Sequence, residues 1–298
     1  MPKICNFGSI NIDHVYRVKE FVKPGETLPS LSYRTFPGGK GLNQSIALAR
    51  AGADVFHAGA VGHDGEWLVK RLADEGVSTD FIQRTESVTG HAIIQVTDSG
   101  ENSIILHGGA NQMISTSDIA RSLNQFSKDD YCLLQNEINA VPEIMNEAAR
   151  RKIKIVFNPA PMTPEVNDYP LQKVDILIIN QVEGAMLSGE NSPKKIVNRL
   201  RELYIKTAVL LSLGEEGLMY SDNKHPLLEC PPRVVEAVDT TAAGDTLIGY
   251  FLASLISGLS VSKALETGTI ASGLCVTKLG AADSIPTAED VARARTTT

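Results

Sequence analysis

The stretch Val238-Asp239-Thr240-Thr241-Ala242-Ala243-Gly244-Asp245-Thr246 runs into apolar residues at helical spacing: Leu247, Ile248, Phe251, Leu252, Leu255 and Ile256. Small residues at a helix start leave its first backbone N–H groups bare, and those groups with the helix dipole attract anions. Asp245 falls in that same first turn. A carboxylate beside an anion hole suits a phosphoryl group in transit. The N–H groups meet the developing negative charge, and the carboxylate takes a proton from the attacking hydroxyl. Read alone, the segment also suits an Asp that merely caps a helix.

Other residues have the types and spacing to join such a site. Asn11 and Asp13 are expected to end the first strand, at the carboxyl edge where open α/β sheets place ligands. Their alternate spacing puts both on one face, where an amide and a carboxylate can satisfy vicinal hydroxyls. Gly38-Gly39-Lys40-Gly41 opens onto a helix, with Asn43 in its first turn. Two glycines allow close backbone approach to a ligand, although a flexible turn with a solvated Lys40 fits the same residues. Asn180 and Glu183 meet on one helix face at i and i+3, which suits Mg²⁺ or a helix cap. No GxxxxGK[ST] motif occurs, so a Walker loop is excluded. Gly59-Ala60-Val61-Gly62-His63-Asp64-Gly65 has the wrong spacing for a dinucleotide fingerprint and reads as a turn before a helix.

The elements that must position these residues alternate. Lys3–Phe7, Val55–Ala60, Tyr131–Leu134, Ile153–Phe157, Ile176–Ile179 and Ala208–Leu213 read as buried strands. Gly41–Ala51, Glu66–Glu75, Ile119–Gln125, Val141–Arg150, Val182–Ser188 and Pro193–Leu203 read as helices. This is the pattern of a parallel sheet covered on both faces. The alternation breaks over Val15–Phe36, and at His91–Thr97 and Asn102–His107, a hairpin around Asp98-Ser99-Gly100-Glu101.

With Gly38-Gly39-Lys40-Gly41-Leu42-Asn43-Gln44, the 238–246 segment resembles the two signatures of the ribokinase-like (PfkB) sugar kinases. The resemblance runs from Gly8-Ser9-Ile10-Asn11-Ile12-Asp13-His14 through Asn158-Pro159-Ala160-Pro161 and Asn180-Gln181-Val182-Glu183 to Gly280-Ala281-Ala282-Asp283-Ser284. It keeps the family's order and covers nearly the whole chain. It implies an α/β fold of three αβα layers, with a mostly parallel central sheet. One domain would span 1–298, with a small β lid from segments about 15–36 and 90–107.

The implied activity is ATP-dependent phosphorylation of a primary hydroxyl on a sugar, ribose or a related furanose. By resemblance Asp245 is the base, and the N–H groups of Ala242, Ala243, Gly244 and Asp245 form the anion hole. Asn11, Asp13, Gly39, Lys40, Asn43 and Glu137 line the sugar side with Asp245. Asn180, Ser212, Gly214, Gly217, Gly244 and Thr269 belong to the nucleotide side, with Asn180 and Glu183 near Mg²⁺ through water. Asp239, Thr241, Cys275, Lys278, Gly280 and Ser284 match the family's monovalent-cation site, mostly through backbone groups, which implies K⁺. A homodimer joined through the lid is also implied.

Three departures from the family pattern stand out. Ala242 replaces the commonest Gly, which keeps the N–H and preserves the anion hole provided its φ is not positive. Thr269 falls where ribose-specific members have a ring or amide near the adenine, and Ile12 and Leu42 are bulkier than the Ala those members tend to carry. Two alternatives remain. A nucleoside kinase of the same family would need an apolar or aromatic wall beyond Asn11 and Asp13. A silent sugar-binding regulator would have no need of Gly244 and Asp245.

Composition is consistent with this reading. With 298 residues, 43% hydrophobic and 21% charged, the chain suits a globular enzyme. Its net charge of −7 and lack of a Lys/Arg block argue against a nucleic-acid partner. Four scattered cysteines, Cys5, Cys132, Cys230 and Cys275, read as free thiols, mostly buried. The opening Met-Pro-Lys-Ile-Cys has no signal pattern, and Leu247–Leu259 is too short for a membrane span, so a cytoplasmic location is expected.

Overall fold

Strands of three to eight residues alternating with amphipathic helices build two sheets in the computed structural model, which describes residues 2–296. The first half runs β1 (Lys3–Phe7), β2 (Asn11–Arg17), β3 (Ser32–Gly38), α1 (Lys40–Arg50), β4 (Asp54–Val61), α2 (Glu66–Asp74), β5 (Ser78–Arg84), β6 (Gly90–Val96), β7 (Asn102–His107), α3 (Thr116–Leu123), β8 (Tyr131–Gln135) and α4 (Val141–Arg150). It continues through β9 (Lys154–Asn158), β10 (Ile176–Asn180), α5 (Gln181–Ser188), α6 (Pro193–Leu203), β11 (Ala208–Ser212), β12 (Leu218–Ser221), β13 (Leu228–Cys230), α7 (Ala243–Ile256), α8 (Val261–Cys275) and α9 (Ala288–Arg295).

The large sheet has nine strands in the order β13-β12-β11-β10-β9-β8-β1-β4-β5, all running one way except β12, which pairs antiparallel with both β11 and β13. Successive strand residues point to opposite faces, and the two cores follow that alternation. Ile4, Leu133, Val156, Ile178 and Leu210 pack with α1, α2, α7 and α8. Cys5, Cys132, Leu134, Ile155, Phe157 and Leu211 pack with α3, α4, α5 and α6. The three-layer expectation is met. All four cysteines are free, and Cys5, Cys132 and Cys275 are buried. Among the described residues no helix is long and apolar enough to cross a membrane.

The small sheet is the expected lid, in the order β3-β2-β6-β7, with β6 and β7 forming the anticipated hairpin. Its boundary needs correction. The lid begins at Asn11, because the chain turns through Gly8-Ser9-Ile10 after β1 and starts a new strand paired with β3 and β6. Asn11 and Asp13 therefore open a lid strand rather than end the first strand. The buried Asn111 amide fastens the turn by accepting from the Ile10 N–H at 3.0 Å, a contact remote in sequence.

Candidate active site

Three chain reversals meet at the carboxyl edge of the large sheet: the β1–β2 turn, the start of α1 and the start of α7. The first two are in direct contact, since a Cβ on Gly41 would lie 2.4 Å from the Gly8 carbonyl carbon. β3 delivers α1 through Gly38, where a Cβ would lie 2.2 Å from the Asp13 carboxylate. Glycine at 41 is thus a requirement of space against backbone, whereas a side chain at 38 would have to displace the Asp13 carboxylate.

Glu137, in the loop after β8, ties this corner together. Its carboxylate accepts from the Ser9 hydroxyl and from the Lys40 N–H at 3.0 Å, and pairs with Lys40 Nζ at 3.3 Å. Lys40 is thus held in place, not a solvated side chain on a flexible turn. Burial pushes its ammonium pKa down, but the carboxylates of Glu137, Asp245 and Glu183 outweigh burial and leave it raised. Asp13 lies near this pair, and burial together with Glu137 pushes its carboxyl up to about 7 against the pull of Lys40. Asn11 is buried and accepts from Asn111 Nδ2 at 2.7 Å.

Asp245 faces the same corner from α7. Asn43 Nδ2 donates to one carboxylate oxygen at 3.0 Å and Gln44 Nε2 to the other at 2.9 Å. Burial raises the Asp245 pKa, while Lys40 and the two amides pull it back only in part. Asn43 Oδ1 is buried and has no partner.

The anion-hole expectation requires correction. Ala242 is the N-cap of α7 with φ 61°, in the left-handed region. A Cβ there costs about 1–2 kcal/mol, the physical reason a glycine suits this position better. The Ala243 N–H is engaged by the Thr240 carbonyl at 3.2 Å. Helix geometry leaves Ala242, Gly244 and Asp245 as the N–H groups without an intrahelical acceptor, since the first bond runs from Thr246 to the Ala242 carbonyl.

Beside this helix start lies a cavity of about 560 Å³, lined by Ser212, Gly214, Gly217, Ala243, Gly244 and Thr269 among others. The expected nucleotide-side residues thus meet, apart from Asn180. Register places Asn180 of β10 beside Ser212 of β11. Asn180 and Glu183 form a reciprocal helix cap: the Glu183 N–H donates to Asn180 Oδ1, and its carboxylate accepts from the Asn180 N–H and Nδ2, all at 2.9 Å. Thr269 turns its hydroxyl back to the Leu265 carbonyl at 2.9 Å, so its proton is spent within the helix and only its oxygen can accept from a ligand.

The residues expected at the monovalent-cation site also gather. Asp239 accepts from the Thr241 N–H at 2.9 Å, the Thr241 hydroxyl at 2.6 Å and the Gly280 N–H at 3.0 Å. Burial raises its pKa, but these donors prevail and hold the carboxyl below its ordinary value. Cys275 Sγ contacts Ser284 Oγ at 3.0 Å and reaches the Thr241 carbonyl at 3.7 Å. Lys278 joins through its backbone alone, its side chain being exposed. Among the described residues no three His, Cys, Asp or Glu are grouped to hold a metal. Any ion here would have the Asp239 carboxylate beside hydroxyl and carbonyl oxygens.

The sequence pattern singled out no role for Ser9, Gln44, Asn111 or Ser272, whose hydroxyl donates to the Ala243 carbonyl at 3.0 Å. Gln44 lies inside the quoted 38–44 signature, which was its only signal.

The pfkB family carbohydrate kinase pattern matches residues 1–288. The chain is 38% identical over 296 residues to the ribokinase of Haemophilus influenzae, covering 95% of each chain. It superposes on the ribokinase of Thermotoga maritima with a TM-score of 0.90 at 32% identity, covering 99% of this chain and 100% of that one. An Arabidopsis thaliana ribokinase complexed with ribose and ATP matches with a TM-score of 0.88 at 27% identity, covering 98% of each chain. The converging Asp245, bare helix start and ordered lid corner therefore sit in a chain that belongs to the pfkB family of carbohydrate kinases, phosphotransferases with an alcohol group as acceptor.

Proposed function

We propose that this protein transfers the γ-phosphoryl group of ATP to a primary hydroxyl of ribose or a related furanose. One observation carries the reading. The Asp245 carboxylate, gripped by two α1 amides, stands between the Asp13–Lys40–Glu137 corner and the start of α7. The sugar lies against β2 and the start of α1, where the unpartnered Asn43 Oδ1 accepts one hydroxyl and Asn11, Asp13, Gly39, Lys40 and Glu137 address others. Asp245 orients the primary hydroxyl and takes its proton. The Gly244 and Asp245 N–H groups stabilise charge on the transferring phosphoryl, so catalysis is mostly positioning and electrostatics.

The cavity beside α7 has the size of a small-molecule site and accepts ATP with its phosphates toward Gly244. Asn180 and Glu183 already spend hydrogen bonds on capping α5, so they would hold Mg²⁺ only through water on their remaining lone pairs, and the ion would supply charge neutralisation to nucleotide phosphates. The ionised Asp239 with carbonyls around Thr241, Cys275, Lys278, Gly280 and Ser284 suits K⁺, which contributes by fixing the loop before α7.

Ribose is favoured by the relatives named above and by where the two bulky departures point. Leu42 is fully buried in the core, and Ile12 is buried in the same core, alternating away from Asn11 and Asp13. Neither narrows the sugar side. The lid exposes Tyr33, Ile93, Ile104, Ile105 and Leu106 together with two unpaired edges, β3 and β7, which a second copy of the chain would cover.

A panel of pentoses, hexoses and nucleosides with ATP and Mg²⁺, read by ADP release, tests the assignment. The highest kcat/KM is expected with ribose or a close furanose. A nucleoside as best substrate would replace the reading with a nucleoside kinase, and sugar binding without ADP release would leave a silent regulator.

A further inference from the structure

A file of polar side chains leads from Asp245 into the core. Gln44, Gln135, Asn6, Ser45 and His57 are each at most 1% exposed. Buried groups of this kind are costly unless hydrogen-bonded, and their donor directions here can be worked out. His57 Nε2 meets the Gly8 carbonyl at 3.1 Å. A carbonyl only accepts, so Nε2 carries the proton and Nδ1 accepts from the Ser45 hydroxyl at 2.8 Å. The Ser45 oxygen in turn accepts from Asn6 Nδ2 at 2.8 Å, which also donates to the Gly41 carbonyl at 2.8 Å.

Asn6 Oδ1 is thereby the acceptor for Gln135 Nε2 at 2.9 Å, whose other N–H reaches Gln44 Oε1 at 2.7 Å. Gln44 is left with its nitrogen toward Asp245 Oδ1 at 2.9 Å and Asn158 Oδ1 at 3.3 Å. Asn158 is oriented from the opposite side, its Nδ2 donating to the Ile178 carbonyl at 3.0 Å. Three backbone carbonyls, those of Gly8, Gly41 and Ile178, thus dictate every amide orientation in the file.

We propose that Gln44 is a positioning residue whose donor direction is imposed by this buried file, and which aims the Asp245 carboxylate at the sugar hydroxyl as a proton acceptor. His57 does not reverse the file near neutral pH, since burial pushes its imidazole down to about 4. The charged and titratable groups that act on Asp245 are Lys40 of α1, Glu137 after β8 and Cys275 of α8, with Glu183 of α5 acting on Lys40. With Lys40 and Glu137 unchanged, losing the Gln44 donor leaves burial freer to raise the Asp245 pKa. The inference rests on Asp245 being the base.

The test is the pH dependence of kcat in three purified variants, each checked by thermal melting. Gln44→Met keeps the length without the amide, Gln44→Glu sets a second carboxylate against Asp245, and Gln135→Met touches neither Asp245 nor substrate. In Gln44→Met, kcat is expected to fall about tenfold, the loss of one charge-assisted hydrogen bond, with sugar and ATP KM within about twofold. The acid limb of the profile should move to higher pH in all three, furthest for Gln44→Glu and least for Gln135→Met. Acid limbs that coincide with the parent's in the folded variants would sink the positioning role, as would a rise in sugar KM matching the fall in kcat. If Gln44→Met does not fold, the other two limbs decide. Near-normal kcat in Asp245→Asn defeats the base assignment itself. Lost kcat in Asp245→Asn with unmoved limbs in the glutamine variants defeats only the role of Gln44.

Discussion

The Asp13–Lys40–Glu137 corner and the start of α7 adjoin each other but are made of different material. The corner is built from side chains that hold one another: Glu137 on Ser9 and Lys40, Asn111 on Asn11, and Asn43 and Gln44 on Asp245. The helix start is built from backbone, with open space where a Cβ on Gly244 would lie. Side-chain donors and acceptors can match one hydroxyl pattern and reject another, so each replacement there removes a specific contact. Backbone N–H groups survive any replacement except proline, and Ala242 illustrates that tolerance at the cost of local strain.

The largest effect should come where the two regions meet. Asp245→Asn keeps the shape but not the base, and kcat is expected to fall about 10²–10⁴-fold with sugar affinity less changed. A purified variant with near-normal kcat would separate Asp245 from the chemistry. On the corner alone, Asp13→Ala should raise the apparent sugar KM by about ten- to a hundredfold, from about 1.5–3 kcal/mol per charged hydrogen bond. The ATP KM should hardly move, and calorimetry with unaltered sugar binding would remove β2 from the sugar platform.

Asp13 also gives the corner a pH signature. Its folded pKa of about 7 lies above the ordinary 3.8, so the folded state binds more protons across that interval and loses stability as pH rises through it. Asp13→Asn should therefore melt higher than the parent near pH 7, with the gap closing toward pH 4. A constant gap would mean that the carboxyl is not strained by its neighbours.

On the backbone side the effects should be smaller. Replacing Na⁺ by K⁺ at constant ionic strength should raise the rate several-fold, and Asp239→Ala should abolish the response. Equal rates in K⁺, Na⁺ and a large organic cation would reduce Asp239 to a turn residue. Ala242→Gly should relax the left-handed cap, with a net gain of about 0.5 kcal/mol after the added chain entropy of glycine. A urea midpoint below the parent's would show that the methyl group contributes more than its strain costs.

The order of buried strands and amphipathic helices, the β6–β7 hairpin and the signatures around Gly39 and Asp245 could be read from residue types, because apolar period and glycine placement act locally. The strands β5, β12 and β13 could not, since they lie toward the sheet margins and carry no buried apolar run of comparable length. The break between Phe7 and Asn11 was equally hidden, because it is fastened by Asn111, far away in the chain.

Residue pattern alone was enough for the layered α/β plan and for the carboxylate in the first turn of α7. Only the tertiary structure decided that Asn11 belongs to the lid, that Ala242 adopts a left-handed conformation and that Gln44 donates to Asp245. The reason is physical. Helix and strand patterns are written within a few residues of one another, whereas a hydrogen-bond direction inside the core is set by carbonyls on three separate elements that meet only when the chain is folded.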